Sequence, residues 1–505
     1  MMQKLASIFL YLCVALYAAA QDKPNVLLIY VDDLGYGDVG AYGATKLKTP
    51  NIDALAGRGV RFTNGHAAAS TCTPSRYSLM TGNYPFRQSG TGILPGDAKL
   101  IIPQDRMTLP KVFKASGYHT AIVGKWHLGL GDEVAKDWNA AVKPGPLEVG
   151  YDYSFIFPAT ADRVPTVFLE NHHVVGVESS DPIHVDYKQK IGDDPTGKEN
   201  PELLKMHSSP GQGHDNTIVN GIGRIGWMTG GHRARWTDEE LTFTFFEKAK
   251  AYIQAHRKEP FFLTFNATEP HVPRMPAAMF KGKSGLGYRG DAILQLDYTV
   301  GQLVQELKDN QLYENTIIIF SSDNGPVLDD GYQDGAVTEL HGHDPSGGLR
   351  GGKYSAFEAG TRVPFIVSWP KHMATGSVSD ALIAQVDLLA CFAEFLEVNL
   401  AEQDAVDSKA LWKTLIGQEQ GGRSHMVQSS RTHAVLQGNY KYIKPNAGQK
   451  IAKLVNIELG QDSEEQLYDL SVDRGEKNNV AKKFPAKVAE LKRILDQELK
   501  SVERD

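Results

Sequence analysis

Cysteine is scarce in this sequence: Cys13, Cys72 and Cys391 are the three cysteines among 505 residues. Three thiols are too few for a disulfide framework or for a zinc site built from several cysteines. Basic charge is not in excess either, because 53 lysines and arginines stand against 60 aspartates and glutamates, for a net charge of −7. Nucleic-acid phosphates are bound by basic surfaces, so the composition argues against a nucleic-acid partner.

Long apolar runs are lacking as well. One apolar stretch near the N-terminus covers residues 5–17, which is shorter than the ~20 residues that a transmembrane helix needs. Lys4 precedes this stretch and three alanines at 18–20 follow it, the pattern of a cleaved secretory signal. We therefore expect residues 1–20 to be a signal peptide and the protein to be exported, periplasmic or extracellular, with no membrane anchor.

What remains is an ordinary globular composition, 41% hydrophobic and 22% charged, in a chain long enough for a large domain and a smaller one. Apolar β-type runs alternate with amphipathic helical stretches, which predicts an α/β fold with a central, mostly parallel sheet flanked by helices. We place this large domain at residues 21–395. Beyond it the pattern shortens into pieces such as 434–443, which predicts a smaller C-terminal α+β domain with a short antiparallel sheet at residues 396–505.

Four of the apolar runs end in polar residues. These runs are 25–31, before Asp32 and Asp33; 118–123, before Lys125 and His127; 261–265, before His271; and 316–320, before Asp323 and Asn324. In open α/β sheets, ligands bind outside the carboxyl ends of the strands. If the four strands share one sheet, these side chains face one crevice.

Other segments are predicted to support this sheet. Apolar stripes over 291–307 and 488–499 predict helices that pack on a core. Residues 131–235 show weak periodicity and many Gly, Pro, His and Asp residues, so we expect them to form long loops over the active edge of the sheet. Cys391 lies in the apolar run 388–392 and is expected to be a buried core residue.

Cys72 lies where a helix is expected to begin, since Pro74 suits the first helical turn and Gly82 suits a helix end. The free N–H groups and positive dipole end of such a helix favour an anion such as phosphate or sulfate. Arg76, one turn further on, can add guanidinium donors at the same place. From the residues alone two interpretations stay open for Cys72: a thiolate nucleophile with a pKa lowered by the helix end, or a buried structural cysteine.

The segment 72–76, Cys-Thr-Pro-Ser-Arg, followed by Leu-Met-Thr-Gly at 79–82, resembles the Cys-x-Pro-x-Arg signature of the type I, formylglycine-dependent sulfatase family. Further segments resemble that family in order along the chain: 32–38, 124–129, 270–271, 323–325, 349–353, 362–365, 437–441 and 467–470. The resemblance implies an alkaline phosphatase-like large domain and an enzyme similar to bacterial carbohydrate sulfatases. The expected reaction is therefore hydrolysis of a sulfate ester.

The resemblance also implies a modified residue and a metal ion. Cys72 would be oxidised to formylglycine by a separate formylglycine-generating enzyme or anaerobic sulfatase-maturating enzyme. One Ca²⁺ would be held mainly by hard oxygen ligands, and the implied ligand set is Asp32, Asp33, residue 72, Asp323 and Asn324. Zinc on His341 and His343 is not favoured, because the family does not use this pair. A two-metal phosphatase of the same superfamily is not favoured either. Such an enzyme would need histidine ligands at the position where this chain has Asp-Asn-Gly, residues 323–325.

The family's mechanism assigns a role to five further side chains. The hydrated formylglycine would attack sulfur and form an enzyme-bound sulfate ester. Lys125 and Lys353 would add positive charge around the sulfate, and His271, with Lys353, would protonate the departing alcohol. His127 would then take a proton from the remaining hydroxyl, which expels sulfate and restores the aldehyde. Arg76 would fix the formylglycine side chain.

The substrate is expected to be recognised by the long loops. Residues 150–154 and 158–167 resemble carbohydrate sulfatases that act on galactose or N-acetylgalactosamine sulfate in glycosaminoglycans, mucins or algal galactans. Candidate contacts to sugar hydroxyls are Asp162, Arg163, His172, His173 and His343. Two alternatives stay open: a phosphonate or phosphodiester hydrolase with the same formylglycine site, and a non-catalytic binder of sulfated glycans in which Cys72 is never converted.

Overall fold

The structure, a computed structural model, describes residues 23–373 and 375–500. The expected signal peptide at 1–20 lies outside the described residues. Among the helices that are described, none combines the length and the apolar character needed to cross a membrane.

The main sheet has ten strands within the described residues. In chain order they are β1 (Asn25–Val31), β2 (Gly59–Phe62), β3 (His119–Lys125), β4 (Tyr153–Phe157), β5 (Leu169–Glu170), β6 (His173–Val174), β7 (Phe261–Asn266), β8 (Thr316–Ser322), β9 (Phe365–Ser368) and β10 (Ser377–Ser379). Their spatial order is β10-β2-β9-β8-β1-β7-β3-β4-β5-β6. The five neighbours β8, β1, β7, β3 and β4 are parallel, which confirms that the four expected strands share one sheet.

Helices cover both faces of this sheet. In chain order they are α1 (Pro50–Gly57), α2 (Cys72–Thr81), α3 (Leu109–Ala115), α4 (Leu241–Ala255), α5 (Gly287–Asp309), α6 (Glu358–Thr361), α7 (Leu388–Phe395), α8 (Trp412–Leu415) and α9 (Pro485–Lys500). Along β1, alternate residues such as Leu28 and Ile29 enter two separate apolar clusters. Side chains of α2, α3 and α7 contribute to the first cluster and those of α1, α4 and α5 to the second. Burial on both faces explains why the central strands are nearly continuous apolar runs.

One sequence expectation fails in the stretch 131–235. Tyr153–Phe157 is strand β4, which pairs in parallel with β3 and belongs to the main sheet rather than to a loop. The strand is only five residues long, and the sequence on either side shows no helical or β-type periodicity. The hydrophobic pattern of the sequence therefore did not predict it. The rest of the stretch contains short strands, including the pairs His184–Asp186 with Trp227–Thr229 and Ile218–Val219 with Ile222–Gly223.

The C-terminal part forms a second sheet. Its strands are β11 (Met426–Ser429), β12 (His433–Gln437), β13 (Tyr440–Ile443) and β14 (Gln466–Asp469), paired antiparallel in that order. Leu491 and Leu495 of α9 are buried in the same apolar cluster as these strands. The expected α+β character with a short antiparallel sheet is therefore confirmed. The expected boundary at 395 coincides with the end of α7 and stays a prediction.

Two further short pairs complete the strands. They are Gly65–His66 with Ile383–Ala384, and Ile451–Ala452 with Ile457–Glu458. The second pair forms a small hairpin that lies beside the site described below.

Candidate active site

The carboxyl ends of the central strands bring the expected polar residues together. Asp32 and Asp33 follow β1, Lys125 ends β3, and Asp323 follows β8. Lys125 Nζ lies 2.6 Å from Asp32 Oδ2 and 3.9 Å from Asp323 Oδ2. All four side chains are at most 1% exposed. The edge of the sheet thus carries a compact, buried cluster of carboxylates and a cation.

Cys72 begins α2, and Gly82 ends that helix in the left-handed region, with φ of 67°. Both positions agree with the sequence prediction. The Sγ atom of Cys72 lies 3.6 Å from Asp32 Oδ1, and the residue is 1% exposed. Burial raises the pKa of the Cys72 thiol above its ordinary value, more than the nearby lysines lower it. Of the two interpretations left open for Cys72, the burial of the unmodified thiol therefore favours a buried cysteine over a thiolate.

Arg76 lies one turn further along α2 and is also buried. Its Nε and a terminal nitrogen donate to Asp323 Oδ2 at 3.0 and 2.8 Å, and its guanidinium lies 5.1 Å from the centre of the Tyr30 ring. A terminal nitrogen also donates to the carbonyl of Lys125 at 3.4 Å. The geometry thus makes Arg76 the partner that holds Asp323 in place.

The acidic residues could hold a metal ion. Ligand atoms of Asp32, Asp33, Cys72 and Asp323 all lie within 4.8 Å of one another. Asn324 Nδ2 donates to Asp33 Oδ1 at 2.7 Å, whereas Asn324 Oδ1 is buried and has no hydrogen-bond partner among the described residues. Carboxylate and amide oxygens are ligands that hard cations such as Ca²⁺ prefer. The donor set therefore fits a hard cation.

The buried surroundings shift the pKa values of two carboxyl groups of this cluster in opposite directions. Burial, and next the charge of Asp32, raises the pKa of Asp323 to about 6. For Asp33, burial alone would raise the pKa, but Lys353, His271 and Lys125 together hold it below its usual range. Carboxylates crowded in this way repel each other unless a cation lies between them.

Lys353 and His271 both lie close to the carboxylate of Asp33. Lys353 Nζ donates to Asp33 Oδ2 at 2.9 Å and to Asp330 Oδ2 at 2.7 Å. His271 Nδ1 donates to the carbonyl of Val272 at 2.7 Å, and its Nε2 lies 3.8 Å from Asp33 Oδ2. Burial, and then the positive charge of Lys353, lowers the pKa of His271 to about 4.

His127 is held in the left-handed region, with φ of 56°, two residues beyond β3. Its Nε2 contacts the carbonyl of Leu94 at 2.9 Å, so this nitrogen carries the proton and Nδ1 is the free acceptor. Nδ1 is buried without a partner among the described residues. Burial, and next Lys125, lowers the pKa of His127 well below its usual value. The ring is therefore a neutral imidazole with one available acceptor nitrogen.

A cavity of about 660 Å³ opens onto this cluster. Cys72, His127, His271 and Lys353 line its inner end. Asp162 and Arg163 also line it, as the sequence predicted, and an Arg163 nitrogen donates to Asp162 Oδ1 at 3.0 Å. A pocket of this size accommodates a sugar-sized ligand.

Three candidate sugar contacts lie elsewhere. His172 Nε2 pairs with Glu148 Oε1 at 2.9 Å, and His343 Nε2 pairs with Asp38 Oδ1 at 2.8 Å. His173 is exposed on the edge strand β6. None of the three lines the cavity. His172 and His343 pair with nearby carboxylates, and His173 faces solvent. The residue type alone could not show whether a histidine contacts a ligand or has one of these other surroundings.

The structure adds residues that the sequence reasoning missed. His214 Nε2 lies 3.0 Å from Asp162 Oδ2, and Tyr354 donates to Asp330 Oδ1 at 2.9 Å. These residues, Arg431 and several residues of the 449–455 segment line the same cavity. The position of Asp330 could have been predicted from the sequence, since this residue follows Asn324 by a few residues at the end of the same strand. His214 lies in an irregular loop, and no spacing in the sequence marks it.

Together, the parallel sheet and the carboxylate, lysine and histidine cluster at its carboxyl edge define an enzyme with α/β architecture that acts on anionic esters. The family model for sulfatases matches residues 24–398. An N-acetylgalactosamine-6-O-sulfatase of Bacteroides thetaiotaomicron is 52% identical over 94% of this chain and 93% of its own length. Human arylsulfatase A is 30% identical over 93% of this chain and 86% of its own length.

Solved structures agree with this likeness. One, from work on the metabolism of multiple glycosaminoglycans by Bacteroides thetaiotaomicron, has a TM-score of 0.93 and 52% identity, covering 95% of this chain and 100% of that one. Another, Ps i-CgsB in complex with k-i-k-neocarrahexaose, has a TM-score of 0.66 and 25% identity, covering 94% and 93%. The chain belongs to the sulfatase family, and it is a sulfatase.

Proposed function

We propose that this enzyme hydrolyses the 6-sulfate ester of N-acetylgalactosamine in a glycan, by way of formylglycine at position 72. The observation that carries the proposal is the place of Cys72: it begins a helix, lies 3.6 Å from Asp32 and lines a sugar-sized cavity. The choice of sugar is supported by the name of the relative that is 52% identical to this chain over nearly its whole length.

The proposed metal is one calcium ion. Its ligands would be Asp32, Asp33, Asp323, Asn324 and residue 72. This set is supported by the crowded carboxylates and by Asn324 Oδ1, which has no partner in the described part of the chain. When bound, calcium supplies positive charge that polarises the nucleophile and a sulfate oxygen. Arg76 supports this arrangement by fixing Asp323 through two hydrogen bonds.

Lys125 and Lys353 are proposed to bind the sulfate. Both are buried, and each donates to a carboxylate of the metal cluster, Asp32 and Asp33 respectively. Burial lowers the pKa of Lys353, but Asp33 and Asp330 raise it well above its ordinary value, so this side chain stays charged. Two fixed cations in a site with little water stabilise negative charge that develops on the transferred group.

His271 and His127 are proposed to move protons. His271 Nδ1 donates to a backbone carbonyl, so Nε2 is the nitrogen on the side of Asp33, with Lys353 beside it. Because the ring is neutral in the free enzyme, Nε2 would first take up a proton when the negative charge of the bound sulfate ester raises the pKa of His271, and it would then pass that proton to the leaving oxygen. His127 lines the same cavity, and its Nδ1 is unprotonated and has no partner among the described residues, which suits it to take a proton from residue 72. The two rings would thus serve opposite steps of the cycle.

Formylglycine would supply the nucleophile as its hydrated aldehyde. The buried Cys72 has no disulfide partner, since the two described cysteines, Cys72 and Cys391, are both free. Because Cys72 is 1% exposed, we propose that the maturation enzyme, a formylglycine-generating or anaerobic sulfatase-maturating enzyme, acts before folding is complete.

Asp162, Arg163 and His214 are proposed to recognise the sugar. Arg163 and His214 both bond to Asp162, so the three side chains form one preorganised group of donors and acceptors on the cavity wall. The pattern of residues 1–20 leads us to propose that the enzyme is exported and works in the periplasm or outside the cell. Its role would be in the breakdown of sulfated polysaccharides.

The test is a desulfation assay on N-acetylgalactosamine 6-sulfate, the 4-sulfate isomer and a phosphodiester, with converted enzyme and Ca²⁺. We expect turnover of the 6-sulfate to exceed that of the other two compounds. Cys72→Ala should abolish turnover, whereas Cys391→Ala, which removes the other free thiol of the described residues and does not line the cavity, should retain it. A preference for the phosphodiester, or turnover by Cys72→Ala, would contradict the proposal.

A further inference from the structure

Arg274 is a buried arginine between two loops beside the active site. One loop, residues 269–274, carries His271, and the other, residues 326–334, carries Asp330. Arg274 Nη1 lies 2.7 Å from Asp334 Oδ2, and both side chains are buried. Neither Arg274 nor Asp334 lines the active-site cavity. Any effect of this arginine on the reaction must therefore pass through the residues that it holds.

The guanidinium of Arg274 bonds to both loops at once. Its Nε donates to the carbonyl of Pro270 at 2.7 Å. Its Nη1 and Nη2 donate to the carbonyls of Leu328 and Val327 at 2.8 and 2.9 Å. The Pro270 carbonyl belongs to the peptide bond that leads into His271, whereas the other two carbonyls lie on the second loop. One side chain thus ties the backbone next to His271 to the neighbouring loop.

The second loop in turn holds Lys353. Asp330 Oδ2 accepts a hydrogen bond from Lys353 Nζ at 2.7 Å, and the carbonyl of Pro326 accepts one from the Lys353 backbone N–H at 2.9 Å. Arg274 therefore connects the loop that carries His271 to the loop that holds Lys353. These are the two side chains proposed above to act on the leaving oxygen.

The loop of His271 has a separate anchor at its other end. The carbonyl of Glu269 accepts a hydrogen bond from the Asp32 N–H at 3.3 Å, and Glu269 Oε1 accepts one from Gln295 Nε2 of α5 at 2.9 Å. These bonds do not depend on Arg274. Loss of the guanidinium would therefore free only the end of the loop that contacts residues 326–334, which displaces His271 without dismantling the site.

Stability alone does not account for a buried arginine at this place. Buried ion pairs can often be replaced by apolar side chains with little loss of stability. A guanidinium differs from such side chains because its donors point in fixed directions within one plane. The four hydrogen bonds of Arg274, to three carbonyls and to Asp334, use this geometry to fix two loops relative to each other.

We propose that Arg274 is a positioning residue that keeps the His271 ring beside Lys353, where it can reach the leaving oxygen. The inference rests on the proposed function, since it concerns the proton that His271 is proposed to deliver. Arg274 itself touches neither the substrate nor the metal in this account.

The test is a double-mutant cycle on kcat/KM for N-acetylgalactosamine 6-sulfate, with the converted, calcium-bound enzyme. Arg274→Gln should lower kcat/KM by about a hundredfold, because displacement of a reacting group by about 1 Å can have an effect of that size. His271→Ala removes the proton donor and should lower kcat/KM by at least about as much. The double variant should match His271→Ala alone, because no ring is left to misplace.

Arg423→Gln is the matched control. Arg423 is also a buried arginine, it pairs with Asp387, and it does not line the active-site cavity. This variant should lose stability but keep kcat/KM, both alone and in the His271→Ala background. Melting temperatures show whether each variant is folded at the assay temperature.

Arg274→Lys provides a milder change for the same cycle, should Arg274→Gln be unfolded at the assay temperature. Lysine keeps a positive charge near Asp334, but its single ammonium lacks the forked donors that reach carbonyls on both loops. We expect a smaller loss of kcat/KM than for Arg274→Gln, and no further loss when His271 is already alanine.

Two results would overturn the inference. One is full kcat/KM in the Arg274 variants. The other is a loss from the Arg274 substitution that persists in the His271→Ala background, which would mean that Arg274 does not act through His271. Failure of the unsubstituted enzyme to turn over N-acetylgalactosamine 6-sulfate would instead contradict the proposed function, so the two failures are distinguishable.

Discussion

At the scale of a single residue, Asn324 carries the strongest structural argument for the proposed metal site. Its amide nitrogen is engaged by Asp33, but its amide oxygen is buried and unpaired among the described residues. Leaving such an atom unsatisfied costs about 1–3 kcal/mol. A bound cation removes that cost and also offsets the charge of Asp32, which together with burial, the larger cause, raises the pKa of Asp323.

Asn324→Ala should therefore weaken calcium binding by at least about tenfold, because even supporting residues of metal sites contribute that much to affinity. Isothermal titration of the apo-enzyme with Ca²⁺ measures the change. Asn478→Ala, at an exposed position in the C-terminal part, is the matched control and should bind Ca²⁺ like the unsubstituted enzyme. Unchanged affinity in Asn324→Ala would remove this residue from the ligand set.

Sequence reasoning at this scale succeeded where a residue directly follows a buried strand or starts a helix. Asp32, Lys125 and Asp323 were placed correctly for that reason. It failed where the answer depends on contacts that are distant in sequence. Desolvation of Cys72 comes from the folded surroundings, and the partner of His343 is Asp38, which lies 305 residues away.

At the scale of the element, the end of strand β3 lies very close to the backbone of the neighbouring strand β7. Gly124, in β3 immediately before Lys125, has φ of 112°, and a Cβ atom there would lie 2.0 Å from the carbonyl oxygen of Asn266 on β7. A residue with a side chain is thus excluded both by its backbone conformation and by the neighbouring strand. This contact sets the position of Lys125 relative to β7.

Gly124→Ala should lower both the stability and kcat, because the strand must move and Lys125 moves with it. Gly117→Ala is the matched control: φ is 76°, but nothing lies within 4 Å of the added Cβ. We expect Gly117→Ala to cost about 1–2 kcal/mol for the left-handed backbone alone and to leave kcat unchanged. Urea denaturation and steady-state assays measure both. Equal losses in the two variants would contradict the role given to the β3–β7 contact.

The elements themselves were largely predictable. The buried runs at 25–31 and 316–320 became strands with nearly the same bounds, since burial on both sheet faces leaves a continuous apolar signal. The predicted run 434–443 proved to be two strands, β12 and β13, joined by a turn at Gly438. Short strands such as β4 were missed because five residues carry too little periodicity to stand out.

At the scale of the whole molecule, the C-terminal part completes the site. Arg431 and the 449–455 segment line the active-site cavity, and Gln212 Nε2 donates to the carbonyl of Leu454 at 3.2 Å. No local pattern in the sequence predicts this, because it depends on how the second sheet packs beside the first. The sequence correctly predicted the α+β character of the smaller domain, but it did not predict that this domain contributes residues to the cavity.

A buried ion cluster joins the same two parts. Lys441 of β13 lies 2.9 Å from Glu358 of α6 and 3.4 Å from Glu476, and the Glu358 backbone N–H donates to Glu476 at 2.6 Å. Burial raises the pKa of Glu476 from its ordinary 4.5 to about 7, although Lys441 opposes the shift. The folded protein therefore binds a proton at Glu476 more tightly than the unfolded chain does.

The contribution of Glu476 to stability is consequently greatest below pH 4.5 and is lost as the pH rises toward about 7. Glu476→Gln keeps an acceptor for the Glu358 N–H and removes the titration. We expect the melting temperature of this variant, relative to the unsubstituted enzyme, to increase between pH 5 and pH 8. The control Glu464→Gln, at an exposed position, should show a constant difference over that range. A constant difference for Glu476→Gln would contradict the assignment.

The central claim is that residue 72 works as formylglycine, and the mass of tryptic peptide 62–76 tests it most directly. The enzyme is prepared with and without a co-produced maturation enzyme, and both peptide mass and turnover of N-acetylgalactosamine 6-sulfate are measured. We predict that turnover rises in proportion to the fraction of peptide in which the Cys72 thiol is replaced by an aldehyde. Full turnover by protein that contains only the unmodified thiol would contradict the account.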